Sequence, residues 1–451
     1  MSELSLNRKS FYKKVGVLVI PMALQNLINV GVNASDVIFL GKVGEDVLSG
    51  CSLAGQVFFV LSLFLFGVTS GACVLTAQYW GKKDTVSIEK LLGIVLGFSE
   101  IVGILFMVVS LAMPDQIMGL LTNDPAVIVQ GSKFLRIVAF TYPIVAFNMS
   151  YLNMIKSVEK VIISTVVYAI SLTVNIILNW ILIFGEFGFP AMGIRGSATA
   201  TLCARILELI IVLVYANKHC KEIRIIPKYI LKMDKILLAD FFRFSGPVIF
   251  NEVLWGLGYS VNAAIIGHLG SSAIAANSVA QVARQLSMVV VFGIATATAI
   301  MLGKAIGENK KELAQFYASE SIKVALVGGV VGGLLIFIFT PFMISGLGFQ
   351  GETAVYTKYF LHMMSYYVIG QALNSVWIVG IFRAGGDTIF GMVLDLTAMW
   401  MGSILFGALA AFVFKWSIPV VYFILLADEL LKLPFSAIRY KQKKWLKNVT
   451  R

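Results

Sequence analysis

Twelve apolar runs follow one another along the chain, at roughly 15–40, 53–80, 90–113, 132–157, 161–184, 194–217, 240–267, 276–305, 319–341, 357–383, 388–414 and 417–438. A helix rising 1.5 Å per residue needs about 20 such residues to cross roughly 30 Å of hydrocarbon. Hydrocarbon offers no partner to a backbone N–H or C=O, so spans of this length must satisfy their hydrogen bonds internally, as helices. A barrel would instead alternate in segments of about 10 residues. Charged residues make up only 13% of the chain, about half the usual share of a soluble domain. The expectation is an all-α integral membrane protein of twelve transmembrane helices. The net charge of +12 would suggest nucleic acid in a soluble protein. Here it lies in short loops between apolar runs, so the partner is the lipid bilayer and no nucleic acid is expected.

Orientation follows from those loops, because Lys and Arg are retained on the cytoplasmic side. Twenty-five of the 36 Lys and Arg residues fall in the termini and every second loop. Five fall in the alternate loops, and six (Arg136, Arg205, Arg243, Arg284, Lys323 and Lys432) fall inside spans. Both termini are therefore expected in the cytoplasm, as an even number of spans requires, with the chain in the plasma (inner) membrane. The N-terminal "MSELSLNRKSFYKK" leads into a full span with no small-residue cleavage site, so no removable signal is expected.

The longest break, 217–239, divides the chain into an N-terminal lobe (1–216) and a C-terminal lobe (240–451) of six spans each, the second ending in a basic tail. The lobes repeat each other. At an offset of 226, Pro21 meets Pro247, Gly41 meets Gly267, Gly67 meets Gly293 and Gly81 meets Gly307, with no gap. Six spans per repeat give both lobes the same orientation, a parallel repeat about an axis along the membrane normal, as in many secondary transporters.

Polar groups inside spans are costly and so invite a functional reading. Asp36 lies in the first span, five residues before Gly41, with Asn26, Asn29 and Asn33 upstream. Asn175 and Asn179 are four apart and share one face of the fifth span. Ser197, Thr199 and Thr201 open the sixth. Asp36, Asn175, Asn179 and these hydroxyls fall at similar depth, and they form an oxygen-rich set suited to a hard cation or, through the lone carboxylate, a proton. Interhelical hydrogen bonding is the plainer reading of the two asparagines. Glu252 lies five residues after Pro247, and burial without a partner would cost it several kcal/mol. Arg284 is placed either in an ion pair with Glu252 or on an aqueous cleft. Tyr366, Asn374 and Asp395 are further polar candidates in the second lobe. His268 and His362 sit at span ends, where an interface role is the simpler one.

Other patterns carry no chemistry. "GLGFQG" (346–351) has the spacing of a dinucleotide loop but lacks the strand that such a loop follows. "GGVVGG" (328–333) reads as close helix packing. Cys51, Cys73, Cys203 and Cys220 are scattered and read as small apolar residues. No phosphate-binding loop or His/Cys metal pattern is present, so an ATP-driven pump or an enzyme is not expected.

The chain resembles the multidrug and toxic compound extrusion (MATE) family over nearly its whole length. The resemblance is carried by the paired Pro–Gly–Gly spacing, by "NIILNWILIFGEFGFPAMGIRGSATAT" (175–201), by "FRAGGDT" (382–388) and by "RYKQKKWLKNVT" (439–450). It implies two pseudo-symmetric six-helix lobes and a secondary active antiporter. Such a protein exports amphipathic, cationic organic compounds in exchange for Na+ or H+, as a monomer without a cofactor. It also implies a cation or proton site at Asp36, Asn175 and Asn179, which would be the metal ligands if the ion is Na+, with Ser197 or Thr199 supplying a hydroxyl. The family often places a glutamate at the position of Glu252, with an aspartate in the tenth span. Here "YYVIGQALNSVWIVGIFRAGGD" has no acid before Arg383, leaving Asp395, Tyr366 or Asn374 as substitutes. The alternatives are a flippase for a lipid-linked substrate, a membrane-embedded enzyme and a channel.

Overall fold

The structure is a computed structural model that describes residues 3–220 and 222–451, without the side chains of residues 3–7, Asn33 and Ala34; the side chain of Asn33 therefore lies outside the described residues. All regular structure in it is helical. The first half comprises α1 (Glu3–Val43), α2 (Glu45–Lys82), α3 (Thr85–Ala112), α4 (Pro114–Leu121), α5 (Pro125–Val138), α6 (Thr141–Ser157), α7 (Ile162–Phe184) and α8 (Ile194–Lys218). A short α9 (Pro227–Leu231) lies in the long break, followed by α10 (Lys235–Gly267), α11 (Ser271–Gly307), α12 (Lys311–Gly346) and α13 (Gly351–Asn374). The last spans are α14 (Thr388–Leu396), which runs on through a wider-wound turn into α15 (Leu405–Ala408), and then α16 (Ile418–Leu425) and α17 (Ala427–Lys441).

Ten helical segments among the described residues are long and apolar enough to cross a membrane, and α5 with α6, bent by 55°, makes an eleventh. The twelfth expected span, 417–438, is occupied by α16 and α17. Neither helix alone has the length of a span, α16 having 8 residues and α17 15, and Asp428, Glu429 and Lys432 lie within α17, all three buried. Widened π-type turns follow Asn374 (Ser375–Phe382) and Asp395 (Thr397–Ile404). Such turns concentrate at functional positions, because they re-aim the side chains on either side.

The chain forms two compact units. One comprises Leu24–Ala72 and Asp84–Arg243; the other comprises Met1–Ala23, Cys73–Lys83 and Phe244–Arg451. Helix α1 thus changes unit just after Pro21, whose missing N–H and ring remove one rung of the helical hydrogen bonding. The first unit is packed around Leu61, Leu65, Leu135, Tyr142 and Ile194. The second is packed around Phe360, Met364, Val368, Leu425 and Tyr422, with the Phe360 and Tyr422 rings stacked 3.6 Å apart. Within it, "GGVVGG" brings α12 onto α13: Gly329 lies against Ile369 and Ala372, and Gly333 against the Ser365 carbonyl.

The internal repeat has a physical consequence inside this second unit. Gly81 packs on the backbone carbonyl of Lys304, and Gly307 packs on that of Gln78. At the offset of 226, 78 maps to 304 and 81 to 307, so the two contacts are images of each other. Ala77 and Gly303, also repeat mates, touch directly between them. The C-terminal ends of α2 and α11 therefore cross through glycine on carbonyl, at an approach that a Cβ on either glycine would prevent.

Candidate functional site

In the first unit, side chains of α1, α7 and α8 join the sequence candidates into one chain of contacts. The Asn179 amide donates to Asp36 Oδ1 at 2.7 Å and to Asn175 Oδ1 at 3.1 Å. The Asn175 amide lies 3.4 Å from the Thr201 hydroxyl. Asn175 and Asn179 are buried, and Asn179 Oδ1 has no hydrogen-bond partner among the described residues. A buried acceptor without a donor is expensive, and this one lies on the amide that touches Asp36. The network sets the amide orientation: an ionised Asp36 only accepts, so the NH2 faces it.

The hydroxyl in contact is Thr201, whereas Thr199 turns back to the Arg195 carbonyl at 2.8 Å. Ser197 Oγ is buried without a hydrogen-bond partner among the described residues. Ser197 and Thr201 are four apart and share a helical face, while Thr199 is two residues out of phase.

An ion pair on α8 adjoins this site. Arg205 on α8 holds Glu208 at 2.7 Å, and Asn148 on α6 approaches Glu208 at 3.3 Å. The Arg205 charge also acts on Asp36. Asp36, Glu208 and Arg205 together carry a formal charge of −1, so one added cation or proton balances them. The in-span arginine was legible in the sequence, but its link to Asp36 was not.

In the second unit, Glu252 meets Arg383 at 2.6 Å, both buried. Arg383 reads as a loop residue in the sequence, yet it continues the helical run of α13 beyond the widened turn and meets Glu252 on α10, so Arg284 is not the partner of Glu252. Asp395 accepts from Asn251 at 3.0 Å and from Lys432 at 2.8 Å. The Lys432 ammonium also reaches Asp428 at 3.1 Å and Glu429 at 2.9 Å. The Asn374 amide donates to Glu429 Oε2 at 2.8 Å and accepts from Ser436 at 3.3 Å. Asn374 and Asp395 thus belong to one buried network whose centre, Lys432, sequence reasoning passed over. Its signal was present: Asp428 and Lys432 are an i, i+4 pair in an otherwise apolar run. Among the described residues, no group of His, Cys, Asp and Glu has the arrangement of a metal site; here an ammonium sits between the carboxylates.

Tyr366 is 68% exposed and belongs to neither site. Its neighbour Tyr367, one helical step away, faces inward and lines a small cavity. The cavity is shared with Trp255, Tyr259, Gln281, Arg284 and Asp428. Arg284 donates to Gln281 at 2.8 Å and to Gln371 at 3.4 Å, both neutral amides. His268 is exposed and bonds the Ala264 carbonyl, and His362 stacks on Phe337 at 4.8 Å. The four cysteines are free.

Comparison with known proteins agrees with this architecture. The MatE family model matches residues 21–181 and 247–409, two blocks that start at the repeat mates Pro21 and Pro247. The probable multidrug resistance protein YoeA of Bacillus subtilis (strain 168) is 27% identical over 402 residues, covering 87% of this chain and 86% of that protein. The probable multidrug resistance protein NorM of Thermotoga maritima is 21% identical over 439 residues, covering 96% and 93%. Among solved structures, the eukaryotic MATE transporter AtDTX14 superposes with a TM-score of 0.85 at 18% identity, over 98% of both chains. A multidrug resistance MATE family transporter in an outward-facing conformation gives 0.84 at 18% identity, over 96% of both. These neighbours share the fold. With a family model spanning most of its length in two repeat-related blocks, this chain belongs to the MATE family of multidrug efflux transporters and is a transporter rather than an enzyme.

Proposed function

We propose that the chain is a secondary active antiporter in the plasma membrane, exporting amphipathic, cationic organic compounds in exchange for Na+ or H+. The moving bodies are the two six-helix lobes, 1–216 and 240–451, joined by a cytoplasmic linker at 217–239. The protein works as a monomer, with both termini in the cytoplasm and no cofactor. The observation that carries the reading is the contact chain Asp36–Asn179–Asn175–Thr201, with a buried open acceptor on Asn179. A cation entering there would find carboxylate, amide and hydroxyl oxygens, the donor set that hard cations take. A proton on Asp36 would become a donor, and rotation of the Asn179 amide would present Oδ1 to accept it. Either event changes the local charge by one unit in a medium of low dielectric, where that change is worth far more than in water. An ion biases the two conformations only through its different affinity for each, and a site built from α1, α7 and α8 can supply that difference because α1 changes unit within its own length.

The test is efflux from reconstituted vesicles with sodium and proton gradients imposed separately. Uphill substrate movement driven by one of them supports antiport and names the ion. Movement only down the substrate's own gradient points to a channel and overturns the proposal.

In the second lobe, Glu252, Asn374 and Asp395 form the coupling network with Asp428, Glu429 and Lys432, and Arg284 faces the substrate cavity. Glu252→Gln removes the carboxylate that Arg383 meets at 2.6 Å. Removing one member of a buried pair costs on the order of 3–5 kcal/mol. The variant is expected to lose stability and to shift its substrate range across a panel of dyes. A wild-type melting profile and dye panel would assign Glu252 to packing alone.

A further inference from the structure

We infer that Arg284 is a specificity determinant that recognises a carboxylate on the exported compound, which makes the preferred substrate an aromatic zwitterion rather than a simple cation. This rests on the export reading above. Arg284 is a permanent cation inside a span, and the hydrogen bonds it makes go to two neutral amides, Gln281 and Gln371. Its planar fork of donors matches a carboxylate. It lines a cavity whose walls include Trp255 and Tyr259, rings stacked 6.0 Å apart and inclined by 19°, a flat surface for an aromatic ligand. Asp428 lines the same cavity. It shares Lys432 with Asp395 and Glu429, so negative charge is in excess on that side. A ligand with an ammonium, an aromatic body and a carboxylate meets all three features, whereas a cation without a carboxylate leaves Arg284 unanswered.

Vesicle efflux of a carboxylate-bearing rhodamine and of its methyl ester isolates this group, since the dyes differ only at the carboxylate. The wild type is expected to prefer the zwitterion, and Arg284→Gln to lose it relative to the ester by roughly ten- to a hundredfold, the value of a hydrogen bond to a charged group. Arg284→Lys is expected to recover part of the preference. An unchanged ratio in Arg284→Gln, or a wild type that favours the ester, overturns the inference while leaving export intact. If neither gradient drives either dye, the export reading fails as well.

A separate set of contacts supports a second proposal: the segment 443–451 is a latch that holds the C-terminal end of α2 against the second lobe and must release in each transport cycle. The Gln78 side chain donates to the carbonyls of Ala384 (2.8 Å) and Lys447 (3.1 Å) and accepts from the Val449 N–H (2.8 Å). Lys82 donates to the Arg451 carbonyl at 2.6 Å, and Asn448 to Asn309 at 2.9 Å. Trp445 is fully buried, its carbonyl packed on Gly385, and Lys447 pairs with Asp387 at 3.3 Å. The segment therefore ties α2, the α11 end and the 384–388 turn together around the glycine crossing. Residues 73–83 come from the N-terminal half of the sequence but pack within the second unit; in the export reading above, where the lobes 1–216 and 240–451 part, they have to leave it.

Hydrogen exchange on the full transporter in nanodiscs, compared with a chain lacking 444–451 and with Gln78→Leu, tests the latch. Amides in 73–83 and 304–310 are expected to exchange at least about tenfold faster in both variants, with exchange elsewhere unchanged. Unchanged protection in Gln78→Leu overturns the proposal, as does a rise spread evenly over the whole chain in both variants.

Discussion

Vesicles carrying Asp36→Asn are expected to lose ion-driven efflux by on the order of a hundredfold, the upper range of a coupling free energy between two sites, while inserting and folding normally. Asparagine keeps the size of the side chain and can still accept from the Asn179 amide. What it removes is the negative charge that, with Glu208, outweighs Arg205. The substituted site is neutral before any ion arrives, so an ion has little reason to prefer one conformation. A channel-like leak need not change, since passive movement does not depend on the bias. Downhill substrate exchange measured beside gradient-driven efflux separates the two effects. Gradient-driven efflux at the wild-type rate would remove Asp36 from the coupling mechanism.

Lys432→Met is expected to be the most destabilising single change in the second lobe. Three carboxylates (Asp395, Asp428 and Glu429) surround this ammonium at 2.8–3.1 Å. Without it, they face each other in a buried site, where the loss of one ion-pair member costs about 3–5 kcal/mol. Against a stability of about 5–15 kcal/mol, the variant should give a markedly lower melting temperature and a poor yield in the membrane. Adding Asp428→Asn and Glu429→Gln removes the repulsion and should restore much of the loss. Melting of the single and triple variants in detergent decides the matter: a single variant as stable as the wild type would show that the cluster is already largely protonated.

Span number and repeat were legible because each depends on a property that survives averaging over twenty residues. Length and apolar character mark a span, and the offset of 226 needs only residue identity. Rotational phase is different, because one residue turns a helix by 100°. That step separates the exposed Tyr366 from Tyr367 on the cavity wall, and two steps separate Thr199 from Thr201. Asp36, Asn175 and Asn179 could be grouped from depth and helical spacing, and they are in contact. Arg383 was obscured by its place next to a Gly-Gly turn, where a basic residue reads as a loop charge. Its contact with Glu252 is tertiary information. The charges of α17 drew no functional reading from the sequence, although "DELLK" carries an acid–base pair on one helical face.

The crossing of α2 and α11 bears on how cheaply the transporter can move. At its centre the contact is glycine against backbone carbonyl, Gly81 on Lys304 and Gly307 on Gln78, so parting these two points breaks no ion pair between them. It behaves as a bearing: close-fitting when shut, almost free of friction when opened. Because it is duplicated about its own centre, wear on one side, such as a methyl group at Gly81, would be matched in kind by the same change at Gly307.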